Sequence, residues 1–148
     1  TELLEIAREH KKSLALETKH PVPSGNEVEN KILELVKPYK DLDIALLSFS
    51  WLALEKVVRL ETGIETVALV NALNAPIMNR FSSAKSFAPS IEEIRNHPDL
   101  VAKFQSEGKR VFVWTVNEVI DLKLCAQLGV DVVITDMPAR AVSELGYP

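Results

Sequence analysis

Apolar residues in this chain fall into two alternating rhythms. Short unbroken apolar runs predict strands over residues 14–19, 43–49, 66–70, 84–88, 110–116 and 131–135. Between them, apolar residues recur every three or four positions among charges, which predicts helices over 1–12, 27–39 and 51–61, with further helices ending near 108 and 128 and a last one from 138. Near-continuous apolarity is the signature of parallel strands covered on both faces. The 110–116 run, Arg-Val-Phe-Val-Trp-Thr-Val, is the clearest of the six, being rich in β-branched and aromatic residues.

The punctuation agrees with the periods. Pro21, Pro23 and Gly25 make 20–25 a loop, and Asn26 is placed to cap the next helix, whose Val28, Ile32, Leu35 and Val36 share one face. Gly63 closes the 51–61 helix. Pro89-Ser90 opens a helical stretch that Pro98 interrupts, Asn117 stands where the next helix would be capped, and Gly129 ends that helix. Asp136-Met137-Pro138 then offers a cap and an early proline to the final helix. Signals over 71–83 are weak and predict an irregular loop or a short helix. Six strands alternating with helices, without hairpin turns, predict a parallel α/β sheet or barrel within one domain, residues 1–148.

Composition narrows the function classes. With 148 residues, 47% hydrophobic and 26% charged, the chain can bury a substantial core. The net charge is only −4, and Lys and Arg are scattered without a basic stripe, which argues against nucleic acid as a partner. No apolar run approaches the roughly 20 residues of a membrane span, and no signal segment opens the sequence, so a cytoplasmic protein is expected. The absence of an initial Met suits a processed or truncated piece. Cys125 is the single cysteine and is expected to be a small core residue. Gly-x-Gly-x-x-Gly, Walker A and Gly-x-Ser-x-Gly motifs are all lacking, which removes the commonest nucleotide and α/β-hydrolase readings.

Candidate chemistry concentrates in Leu14-Ala15-Leu16-Glu17-Thr18-Lys19. Alternation along a strand turns Glu17 and Lys19 to one face and Thr18 to the other, at the end where α/β proteins build their sites. Taken alone, such a pair is no more than a solvated surface ion pair. The three histidines add little: His10 and His97 are expected on the surface, and His20 is expected to shape the turn before Pro21. Asp136 reads as a helix cap.

Four segments occur in a family-like order: Leu16-Glu17-Thr18-Lys19-His20-Pro21, Leu47-Ser48-Phe49-Ser50, Val113-Trp114-Thr115-Val116-Asn117, and Gly129-Val130-Asp131 continuing to Thr135-Asp136-Met137-Pro138. Together they resemble the glycerophosphodiester phosphodiesterase family. The resemblance implies a TIM-type (β/α) barrel, of which this chain matches six of eight β/α units, strands 3 to 8, without the two N-terminal units. It further implies that Glu17 is a metal ligand for a divalent cation, Mg²⁺ or Ca²⁺, and that Lys19 is a catalytic residue facing the phosphate. Trp114 and, beside it, Phe49 are implied to line the glycerol end of the substrate. The family's opening His-Arg-Gly segment, next acidic strand and second catalytic histidine have no counterpart here.

These implications set the functional expectation. The intact family domain hydrolyses glycerophosphodiesters to an alcohol and glycerol phosphate, and this chain keeps the charge-stabilising half of that chemistry while lacking the proton-transfer half. The alternative is a non-catalytic truncated barrel that binds a phosphorylated ligand or a partner chain. An incomplete barrel exposes strand edges and apolar wall, which favours self-association or pairing with a complementary N-terminal fragment.

Overall fold

The computed structural model describes residues 2–20 and 27–146. The chain divides into two compact units, one of residues 1–68 with 76–84 and one of 69–75 with 85–148.

The first unit opens with helix α1 (Glu2–Glu9), strand β1 (Leu14–Thr18), helix α2 (Glu27–Val36), strand β2 (Ile44–Ser48) and helix α3 (Trp51–Arg59). Strand β3 (Glu65–Val70) begins in this unit, and helix α4 (Ala75–Phe81) falls in it from Pro76 on. The parallel pairing runs Leu14↔Ile44 to Thr18↔Ser48 between β1 and β2, and Ala45↔Glu65 to Ser48↔Ala68 between β2 and β3. Leu4, Val36, Tyr39 and Ile44 form the buried centre against which Leu14, Leu16, Ile32, Leu42 and Ile64 pack. Each such side chain removed from water contributes about 1.5–3 kcal/mol, which is what ties α1 and α2 to the sheet. Ser50 starts α3 sharply, its hydroxyl accepting from the Ala53 N–H.

The second unit takes up the last residues of β3 and adds strand β4 (Ser86–Pro89), helices α5 (Ile91–Asn96) and α6 (Asp99–Ser106), and strand β5 (Arg110–Val113). Helix α7 (Val119–Leu128), strand β6 (Val132–Val133) and helix α8 (Pro138–Leu145) complete it. Pairing is again parallel: Ser86↔Arg110 and Phe87↔Val111, then Phe112↔Val132 and Val113↔Val133. Ser90 N–H bonds to the Val70 carbonyl, and Phe87 stacks on Phe104 with centroids 4.8 Å apart. Pro98 divides α5 from α6, as its position in the sequence predicts.

These parallel β/α units, taken in strand order β1 to β6, are those of a (β/α) barrel fold. Three local expectations are corrected. Strand β1 is not covered on both faces: Ala15 and Glu17 are exposed, because no layer among the described residues packs over the face they share. The α7 N-cap is Glu118 rather than Asn117. Helix α8 starts from Met137 with no side-chain cap, so Asp136 does not cap it. The Asn26 cap lies outside the described residues.

Candidate active site

In the first unit the candidate residues gather at the C-terminal ends of β1 and β2. Thr18 is 2% exposed, while its neighbours Glu17 and Lys19 are exposed, so the acid and the base flank a buried residue and face the same way. Register sets Glu17 beside Leu47 and Thr18 beside Ser48, and Lys19 and Phe49 each follow one residue past the last paired position. Phe49 is 38% exposed. The strand ends are fastened to one another: Ser48 Oγ donates to the Thr18 carbonyl at 3.2 Å and accepts from the Ser50 N–H at 3.1 Å. The facing of Glu17 and Lys19 around buried Thr18 follows the strand pattern, and Phe49 is exposed just past the end of the neighbouring strand.

Behind that patch lies a group the sequence does not announce. Glu29 on α2 is fully buried, its Oε1 2.7 Å from His20 Nε2 and its Oε2 4.0 Å from Lys56 Nζ on α3. His20 therefore does more than shape a turn. The signal for Glu29 is faint, an acid on the apolar side of the 27–36 helix between Val28 and Ile32.

Trp114 lies in the second unit, one residue past β5. Its indole Nε1–H donates to the Ala88 carbonyl at 2.7 Å and its own carbonyl accepts from Ile91 N–H at 2.7 Å, which fixes a half-buried ring at the ends of β4 and β5. The Trp114–Thr115 peptide is cis. Nearby, Asn117 joins the end of β5 to the end of β6 through Thr135 and Asp136. A groove of about 850 Å³ in the first unit is lined by Val36, Tyr39, Ile44 and Ile64, at the opposite end of the strands from Glu17 and Lys19.

A hard divalent cation takes six or more oxygen ligands. Among the described residues no three His, Cys, Asp or Glu side chains come together to hold a metal, so Glu17 does not by itself make a metal site. What an exposed acid and base facing one way offer by themselves is electrostatic.

Residues 1–140 match the glycerophosphoryl diester phosphodiesterase family. A protein of Mycobacterium tuberculosis (strain H37Rv) named "Probable glycerophosphodiester phosphodiesterase 1" is 30% identical over 135 residues, covering 84% of this chain and 49% of its own length. The chain thus spans about half the length of the curated relative it matches. A glycerophosphodiester phosphodiesterase from Parabacteroides distasonis superposes with a TM-score of 0.82 at 24% identity, over 97% of this chain and 61% of that one. A phosphodiesterase from Oleispira antarctica, solved with the product sn-glycerol-3-phosphate, superposes with a TM-score of 0.79 at 21% identity, over 97% of this chain and 59% of that one.

Proposed function

Since the chain belongs to the glycerophosphoryl diester phosphodiesterase family, we propose that it supplies the charge-stabilising part of a site that hydrolyses a glycerophosphodiester to an alcohol and glycerol phosphate. The observation that carries this reading is the exposed Glu17 and Lys19 turned to one face around buried Thr18. Lys19 faces the phosphate, where a fixed positive charge stabilises negative charge gathering on the oxygens. Phe49 and Trp114 are assigned to the glycerol end of the substrate. Glu17 contributes one carboxylate toward a Mg²⁺ or Ca²⁺ ion, whose other ligands come from the part of the family domain that these 148 residues do not span. The metal, when bound, supplies a further positive charge against the phosphate.

Proton transfer to the leaving oxygen needs a group that the described histidines do not provide: His10 is exposed just past α1, His97 is exposed between α5 and α6, and His20 is engaged by Glu29. Turnover is accordingly assigned to an assembly with a complementary chain or a longer form of this protein.

The test combines native mass, binding of sn-glycerol 3-phosphate, and hydrolysis of glycerophosphocholine with Mg²⁺ or Ca²⁺ present. The 148-residue chain is expected to bind the product without turning over the diester, and Lys19→Met to lose that binding. Equal binding by wild type and Lys19→Met would refute the role of Lys19. Hydrolysis by the 16.5 kDa chain alone, abolished by Glu17→Gln, would refute the need for a complement.

A further inference from the structure

A carboxylate taken wholly out of water is costly unless it is matched, and removing one is tolerated only where the partners it leaves behind can be reached by water. Glu29 is 0% exposed, and its three-membered cluster draws on the end of β1 (His20), on α2 (Glu29 itself) and on α3 (Lys56). Only one of its oxygens has a hydrogen bond, from His20 at 2.7 Å; Oε2 has none among the described residues. Such a group is a poor choice for stability alone. Its position suggests what else it does.

Strand alternation separates the two faces of the β1 end. Glu17 and Lys19 turn to the open face, and Thr18 and His20 turn to the other, where α2 and α3 supply Glu29 and Lys56. The β1–β2 ladder stops at Thr18↔Ser48, so Lys19 stands one residue beyond the last paired position. Among the described residues, the next fastening is the His20 side chain. A bond from His20 to a buried, helix-borne carboxylate therefore holds the Lys19 backbone from behind, at the point where the sheet no longer does.

We propose that Glu29, acting through His20, is a positioning residue that fixes Lys19 for binding the phosphate group of the substrate. This rests on the reading of Lys19 given above. Glu29 touches no substrate; it sets where the ammonium of Lys19 can reach. Because His20 and Lys56 keep 19% and 22% side-chain exposure, water can reach both when Glu29 is removed. Stability and anion binding should therefore separate.

The experiment titrates the 148-residue chain with sn-glycerol 3-phosphate and with inorganic phosphate, following the Lys19 amide and the His20 ring nitrogens by NMR, in wild type, Glu29→Leu, Glu29→Gln and Lys19→Met. Glu29→Leu keeps the volume and removes the acceptor; it should weaken both anions roughly tenfold, shift the Lys19 amide and the His20 Nε2 signal, and leave the unfolding midpoint unchanged or higher. Glu29→Gln keeps an acceptor for His20 and should restore most of the affinity. Wild-type affinity in Glu29→Leu with the His20 bond lost would overturn the proposal, as would equal losses in Glu29→Gln and Glu29→Leu. Should Glu29→Leu fail to fold, His20→Phe removes the same bond from the other side and carries the same expectation. If Lys19→Met binds as wild type does, the phosphate role of Lys19 is what fails. Positioning is then decided by the Lys19 amide in Glu29→Leu: a shifted amide upholds it and an unmoved one refutes it.

Discussion

Asn117 and Asp136 are bonded side chain to side chain, Nδ2 donating to Oδ2 at 2.9 Å, while Asn117 Oδ1 accepts from the Asp136 backbone N–H at 2.9 Å and from Thr135 Oγ1 at 3.1 Å. One amide thus ties the segment after β5 to the segment after β6. Asn117→Ala removes all three bonds and should cost about 1–3 kcal/mol in urea denaturation. Asp136→Ala removes one exposed bond and should cost less, and the double variant should be no worse than Asn117→Ala, because the lost contacts are shared. Equal costs for the two single variants would show that the carboxylate, and not the backbone N–H, is the important partner.

Trp114 is anchored through its indole N–H to the carbonyl of Ala88, a residue with 0% exposure. Trp114→Phe keeps a ring and removes the donor, so it should lower stability by about 1 kcal/mol in thermal unfolding. An unchanged midpoint would mean that another donor satisfies the carbonyl.

Burial, with Asp121 adding a smaller push in the same direction, raises the Cys125 thiol from its ordinary value near 9 to about 11. The folded state therefore holds its proton at a pH where the unfolded chain has released it. That contribution to stability is fully present below pH 9 and is lost as the pH rises toward 11. Cys125→Ala should flatten the fall in unfolding free energy over this window. Iodoacetamide at pH 8 should label the thiol only in denaturant.

Asp41 is held below its ordinary carboxylate value by Arg8, whose Nε and Nη2 donate to its two oxygens at 2.8 and 3.0 Å. A lowered pKa gives stability that is present above the ordinary value near 3.8 and is lost as the pH falls through the folded one. Amide protection in α1 should therefore weaken on acidification in wild type and be insensitive to this titration in Asp41→Asn. Both groups are exposed, so the effect should shrink in high salt. A salt-independent loss would point to another carboxylate.

Much of the architecture is legible in the chain itself. Apolar runs separated by helical periods give the six β/α units, and Pro98 marks the break between α5 and α6, because each signal acts within a few residues. The opposed facing of Thr18 against Glu17 and Lys19 follows from the pleat alone.

Packing decided the rest. Ala15 and Glu17 are open because no layer among the described residues covers the face they share, a fact about packing that no apolar run records. Asn117 and Asp136 carry cap-like chemistry by type, yet the ends of β5 and β6 lie close enough for them to bond to one another, and that contact competes successfully with capping. Glu29 is the clearest case. Its sequence neighbourhood describes an ordinary charge on a helix, and it becomes a buried partner of His20 and Lys56 only when α2, α3 and the end of β1 meet. Local sequence fixes periods and turns because those energies are short-ranged; burial and pairing of a charge depend on residues distant in the chain, and only the tertiary structure brings them together.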